Sequence, residues 1–357
     1  MQIEEKIELH KAFWNNKGPS LIFIPGSNRP LYGLENYRER FYNPDAMWEY
    51  EMERAGYVAD WPTDGIPTIR PNLGVIVLPA MAGQSFQISE DGMPWPGQPL
   101  TRKQIESIYH IDIEETEIYK LLKAFYTKHS LNGKTEFVSY VADNQGVFDI
   151  AHLLYGDNIF YDIMDDTQQR WLTELMDICC YLYISATEKM KKMIGEKPDR
   201  MIHGHGTEQG LYFLHAGIRM AEDTATLLSP QLIENIILPS IKKCVKEPNS
   251  GVFLHYCGNH PTLFDQLTAI PEIKAIDLGN PEMYDISYIM KRCAETNTVL
   301  YSRIAANDGE DWRNYTRRIG ELIVETGARV VFRPLIFPER KEECLEMQEI
   351  FHSITVK

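Results

Sequence analysis

The segment GVFLHYCGN, residues 251–259, sets a histidine and a cysteine two positions apart. In an extended strand successive side chains alternate faces, so Val252, Leu254 and Tyr256 share one face while Phe253, His255 and Cys257 share the other. An imidazole and a thiol facing the same way are donors that tetrahedral zinc takes, with nitrogen at about 2.0–2.1 Å and sulfur at about 2.3 Å. A mixed N/S pair suits zinc better than magnesium or calcium. The competing reading is structural: His255 bonds a carboxylate and Cys257 packs as a small apolar side chain.

Other chemistry-bearing residues fall at comparable places. His203 and His205, in IHGHGTEQG, repeat the two-residue spacing in a glycine-rich setting that reads as a turn. Substrate contact fits them better than primary ligation, with His203 as a binder and His205 as a catalytic group or spare ligand. Asp223, in RMAEDTATLLSP, shares parity with Arg219 and Ala221, while Glu222 faces away. Its carboxylate suits a third ligand, a general acid/base, or an ion pair with a nearby arginine. Asp143, Asn144, Asp277, Asn280, Asn307, Asp308 and Arg333 also sit at or just beyond the ends of apolar runs. Asp143, Asn280 and Arg333 are candidate substrate binders, Arg333 for an anionic group.

Apolar runs of strand length alternate with longer helical patterns, an order that implies βα units and a parallel sheet. The runs are 74–80, 135–142, 200–205, 218–223, 251–257, 273–279, 298–305 and 328–335. Eight such strands close a (β/α)₈ TIM barrel, whose chemistry sits at the strand C-terminal ends. The third connection is short for a helix, so an open doubly wound sheet is the alternative. Residues 1–65 read as an N-terminal layer of short helices and loops, and 66–357 as the barrel, in one domain. The segment LSPQLIENIILPSIKKCVKE predicts a helix with Ser229 as N-cap, Pro230 at its first position, terminal lysines and a kink at Pro239.

The chain has 357 residues and a formal net charge of −15, which argues against non-specific nucleic-acid binding. No apolar run reaches the roughly 18–20 residues that span a bilayer, and the charged N-terminus lacks a signal-peptide core, so a cytoplasmic protein is expected. The six cysteines show no framework spacing, and five fall in helical patterns as expected buried thiols.

Residues 146–266 resemble the uroporphyrinogen decarboxylase superfamily, through GVFDIAHLLYGDNIFYDIMDD, EDTATLLSPQLIENIILPSIKKCV and VFLHYCGNHPTLFDQL. The resemblance implies a (β/α)₈ barrel. The porphyrin-synthesis decarboxylases of that superfamily carry an arginine-rich Met-Arg-Gln-Ala-Gly-Arg phrase and a late histidine. Neither occurs here: the N-terminal segment reads SNRPLYGLENYRER and the late one FRPLIFPERKEE. The corrinoid-linked methyltransferases of the coenzyme M type are the closer branch. There a His-x-Cys pair on the fifth strand and a cysteine after the eighth bind zinc. His255 and Cys257 match the pair; residues 333–338 hold no cysteine, and Cys344 comes later. The resemblance thus implies zinc held by His255 and Cys257, with Asp223, His203 or His205 completing the set. It also implies a small-molecule substrate and a corrinoid (cobalamin) cofactor or corrinoid protein as partner. The competing functions are a metallohydrolase using His203, His205 and His255, a metal-free decarboxylase or lyase, and a silent barrel binding a tetrapyrrole-like ligand.

Overall fold

A computed structural model describes residues 1–18, 20–25, 33–131, 136–205, 207–245, 251–336 and 338–355. Its strands are β1 Leu21–Phe23, β2 Ile66–Ile69, β3 Phe86–Gln87, β4 Trp95–Pro96, β5 Val138–Ser139 and β6 Met201–His203. They continue with β7 Gln209–Phe213, β8 Ile218–Ala221, β9 Val252–Tyr256, β10 Ile273–Leu278, β11 Val299–Ser302 and β12 Val330–Phe332. Six pair in the order β1-β12-β11-β10-β9-β8, every pair parallel. A second sheet, β5-β2-β7-β6, has β2 and β5 parallel. Two backbone bonds carry the curl between the sheets. Asp64 N–H donates to Phe23 O at 2.9 Å beside β1, and Gly146 N–H to Ala221 O at 2.6 Å beyond β8. The eight strands β1, β2, β5 and β8–β12 thus form the wall of a TIM-type α/β barrel.

The expected count of eight holds, but its membership changes. Residues 74–80 are not a strand: Gly74–Ile76 is a 3₁₀ turn and Val77–Met81 a short helix. Gly74 has φ +65°, which breaks extended backbone, and Pro79 sits in the first turn of that helix, where its missing N–H costs nothing. Two wall strands come instead from LIF and IPTI, the first of them inside the stretch read as an N-terminal layer. Strand β6 belongs to an antiparallel hairpin with β7, which in turn pairs antiparallel with β2. That hairpin explains the short connection to β8.

Strand periodicity separates two cores. Leu21, Leu254, Ile276, Leu300 and Val330 pack outward with the helices. Ile22, Phe253, Ala275, Val299, Tyr301 and Val331 point inward, joined by Met201, Leu211 and Phe213 of the hairpin and by Phe13 and Trp14 of helix Ile3–Trp14. Phe213 stacks on Phe253 at 4.7 Å, so the hairpin fills part of the lumen. The segment after Ser229 has the expected cap, with Ser229 Oγ accepting from Leu232 N–H at 3.4 Å. In place of a simple kink, a π-helical stretch, Ile233–Ile237, precedes Pro239 and absorbs the hydrogen bond its ring cannot make. No helix among the described residues is long and apolar enough to cross a membrane.

Helix Ile3–Trp14 is pinned by a fully buried histidine. His10 Nε2 lies 2.9 Å from Asp64 O, and Nδ1 accepts from Tyr212 N–H at 3.0 Å. Only the neutral Nε2–H form satisfies both, and burial holds the pKa down at about 4 against the pull of the Asp64 carbonyl. The resulting stability is complete above pH 6.5 and is lost as pH falls from there toward 4. In urea unfolding, the wild-type advantage over His10→Gln should therefore shrink by about 2 kcal/mol between pH 7 and pH 5.

Candidate metal centre

The register of the parallel sheet stacks its inward residues in layers. Ala221, His255, Asp277, Tyr301 and Val331 are neighbours across β8–β12. At this level a barrel interior normally carries branched apolar side chains. Here it carries a carboxylate and an imidazole: Asp277 is 1% exposed and His255 6%. His255 Nδ1 lies 2.9 Å from Asp277 Oδ2, a bond that fixes Nδ1 as the protonated nitrogen and aims Nε2 at the mouth.

One layer up, two donors meet that nitrogen. Cys257 Sγ is 3.3 Å from His255 Nε2, and Asp223 Oδ1 is 3.7 Å from it. All three donor atoms lie within 4.8 Å of one another. Tetrahedral zinc with the bond lengths above separates its nitrogen, oxygen and sulfur donors by about 3.3–3.6 Å, so the set needs only small adjustment to hold the ion. Asp277 behind His255 completes the carboxylate–histidine arrangement that supports metal-bound imidazole. Without a metal, His255 is an imidazolium. Burial works against the cation, but Asp277 and the contact with Cys257 outweigh it and raise the pKa to about 9.

Local structure holds each donor in place. Cys257 N–H donates to Asp223 Oδ1 at 2.7 Å. Asp223 and Thr224 N–H donate to the two oxygens of Asp149 at 2.9 and 2.8 Å. Glu222 turns away from the lumen, as its parity required, and accepts from Phe148 and Asp149 N–H at the start of helix Val147–Tyr155. Burial and the neighbouring Asp149 push the Glu222 carboxyl well above its ordinary range. A methyl group on Gly279 would stand 2.4 Å from Cys257 Sγ, so only glycine leaves room for the thiol. Asn280 takes a structural place: its Oδ1 accepts from Gly258 N–H at 2.9 Å and its Nδ2 donates to Glu282.

The two other histidines diverge despite their spacing. His205 has φ +44°, which ends the strand and swings its ring toward β9. Its ring lies 4.3 Å from that of His255. Arg219 Nη2 donates to His205 Nδ1 at 2.8 Å, leaving Nε2 facing Asp277 Oδ2 at 3.5 Å. Burial, Arg219 and His255 together push its pKa well down, so it is neutral. His205, His255 and Asp277 also converge, but an ion there would break the Asp277–His255 bond and sit beside the Arg219 cation. His203 is fully buried, 3.1 Å from Asp143 Oδ1, and its Nδ1 accepts from His205 N–H. Asp143 is bound by Arg70 at 2.9 Å; although burial favours its neutral acid, Arg70 and Arg219 hold it ionised. Asp143 and His203 therefore belong to a buried network below the donor set. Cys344 is buried in helix Lys341–Thr355 against Pro62 O, outside the site. Arg333 lies one layer above Val331, over the Tyr301 ring at 5.4 Å. Sequence reasoning passed over Arg303 and Gly279, although parity from Tyr301 and Asp277 places both in the layer of Cys257.

The protein is thus a TIM-type barrel with a His-Cys-Asp donor set at the C-terminal ends of two neighbouring strands. Among solved structures it is similar to a methyltransferase from Methanosarcina mazei, at 14% identity and TM-score 0.66, with 98% of each chain covered. No family model and no curated protein matches the sequence.

Five of the six cysteines are buried and only Cys257 is exposed. Thiol titration of the native protein should find one rapidly reacting thiol, absent from Cys257→Ala. Gly279→Ala, which crowds the sulfur, should change that thiol's rate by about tenfold or more while leaving the denatured count at six.

Proposed function

We propose that this chain is a zinc-dependent methyltransferase acting on a small molecule together with a corrinoid, bound as a cofactor or carried by a partner protein. The observation that carries the reading is the convergence of His255 Nε2, Cys257 Sγ and Asp223 Oδ1, backed by Asp277. The likeness to a solved methyltransferase across nearly the whole chain supports it, as does the sequence resemblance to corrinoid-linked enzymes. Asp223 fits the third ligand position better than His203 or His205, because both histidines already have other partners.

Zinc held by these residues supplies Lewis acidity, stabilising a thiol as thiolate or an ether oxygen as a leaving group. With a carboxylate in place of a second thiolate, the donor set transfers less electron density, which favours the ether version. Asp277 keeps the His255 ring aligned and its Nε2 lone pair directed outward. Asp223, half exposed beside the thiol, is placed to take or return a proton when it is not ligating. His205 stays neutral next to Arg219, with its Nε2 turned to Asp277.

Metal analysis after purification without chelators should give about one zinc per chain, lost in His255→Ala and in Cys257→Ala. Asp277→Asn should weaken zinc binding about 10–100-fold. Absence of zinc from the wild type would overturn the reading and leave a metal-free lyase or a ligand-binding barrel. With zinc present, methyl transfer to free cob(I)alamin from methyl ethers is the activity to assay; chelator-sensitive hydrolysis of simple esters would instead mark a metallohydrolase.

The His255 proton gives a further check. Below about pH 9 the imidazole carries it, and an incoming zinc must displace it. Apparent zinc affinity should therefore rise at least about tenfold per pH unit between pH 6 and pH 8. A flat profile would mean that His255 is not a ligand.

A further inference from the structure

The opposite end of the barrel holds a separate polar cavity of about 240 Å³, lined by Trp14, His215, Lys274, Asn297 and Arg329. His215 lies in the turn between β7 and β8, and Lys274 is the second residue of β10. Asn297 precedes β11, Arg329 precedes β12, and Trp14 ends helix Ile3–Trp14. The cavity therefore sits at the N-terminal ends of the strands, with the packed lumen between it and the His-Cys-Asp donor set.

A register shift builds one wall of it. Between β9 and β10 the pairing slips at Ile273 and Ala275, so Lys274 has no ladder partner. A bulge of this kind re-aims a side chain, and here Lys274 turns to the cavity. Its stem passes over Gly251, where a methyl group would stand 2.5 Å from Lys274 Cγ and 2.9 Å from His215 O. A side chain at that position would force the two segments apart.

The charge around the cavity is of one sign. Arg329 lies 5.9 Å from the centre of the Trp14 ring. Its Nη hydrogens go to neutral acceptors, Phe13 O, Trp14 O, Asn297 O and Asn297 Oδ1. Those contacts fix the guanidinium without neutralising it. His215 packs edge-on against Trp14 at 6.2 Å. Among the described residues, no carboxylate is in ion-pair range of His215, Lys274 or Arg329, and Glu272, two residues from Lys274, does not line the cavity. Burial, then the Lys274 and Arg329 charges, push the His215 pKa down, and burial lowers that of Arg329. Three basic groups gathered without an acid are costly to keep in a chain of net charge −15 unless an anion meets them.

We infer that this cavity binds a phosphate group, free or as the ester of a small molecule, at the barrel end remote from the metal centre. Lys274 supplies mobile donors, Arg329 a fixed charge, and His215 a donor that gains its proton as the anion arrives. Two permanent positive charges match a phosphate, with about −1.5 to −2 charge, better than a single carboxylate. The volume falls below the roughly 300–1,000 Å³ of sites for drug-sized ligands, so the organic part of an ester is small. A bound phosphate joins helix Ile3–Trp14 to β10 and β12 and so stabilises the barrel from below. Nothing in this inference rests on the proposed methyl transfer.

The test is calorimetric titration of the full chain at constant ionic strength, with inorganic phosphate, methyl phosphate, acetate and chloride as probes. Phosphate should bind the wild type, and bind Lys274→Gln about tenfold or more weakly. That variant removes a side chain with no hydrogen bond or ion pair among the described residues, so its melting temperature should match the wild type. In proton NMR, the His215 imidazole resonance, assigned by its loss in His215→Gln, should titrate at higher pH with phosphate present, because the anion favours the imidazolium. Phosphate bound at the barrel mouth would leave that resonance unmoved. Methyl phosphate binding as tightly as inorganic phosphate marks an esterified ligand, and inorganic phosphate alone marks the free ion; either supports the site. No phosphate binding, an unmoved His215 resonance, full affinity in Lys274→Gln, or equal binding of acetate or chloride overturns the inference.

Discussion

The hydrogen bond between Asp277 and His255 is the constraint around which the barrel interior is organised. A carboxylate 1% exposed cannot stay ionised unless cations surround it. Burial alone would make Asp277 a neutral acid, yet the charges of His255 and, more distantly, Arg333 hold its pKa well below the usual range. Its charge in turn keeps the His255 ring in one orientation. Every donor distance in the layer above depends on that orientation. The fold contributes the parallel register that puts residue 277 beside residue 255, and the polar pair turns that register into a directed nitrogen.

The rest of the lumen follows from having admitted that charge. Arg219 is buried, and its guanidinium is used by Asn144 O and His205. Asp143 balances Arg70 and faces His203. These contacts form a buried polar network, in a position where most barrels place Val, Ile and Leu. Replacing Arg70 or Asp143 leaves its buried partner charge exposed to the cost of burial, which exceeds what the intact pair contributes. Below the network the β6–β7 hairpin closes the lumen with Leu211, Phe213 and Phe253.

Periodicity made the second half of the chain legible. From residue 218 onward each apolar run became a wall strand, and alternation correctly turned His255, Cys257 and Asp223 inward and Glu222 outward. The barrel class was legible for the same reason. The first half resisted because its strands are short and irregularly flanked. LIF spans three residues and IPTI contains a proline, whereas GVIVLPA looks more strand-like than either and yet folds as turn and helix around a left-handed Gly74. His203 and His205 were misleading in a different way. Their spacing implies a shared face, but the positive φ of His205 breaks the strand between them. Nor could spacing reveal that Asp143 and His203 are taken up by each other and by Arg70, since that contact joins three separate segments.

The asymmetry of the top layer follows from the same arithmetic. His255 and Asp277 leave the thiol side rich in donors, able to gather positive charge once Cys257 is ionised. A second cation-rich element on that side would compete with a metal, as Arg219 does at His205. Arg303 and Arg333 stand instead just past β11 and β12, away from β8 and β9, and Gly279, just past β10, has no side chain to fill the space between them. A glycine at that point serves both halves: it makes room for the Cys257 sulfur and leaves no side chain to bridge acid and guanidinium. With any larger residue there, the thiol would be displaced.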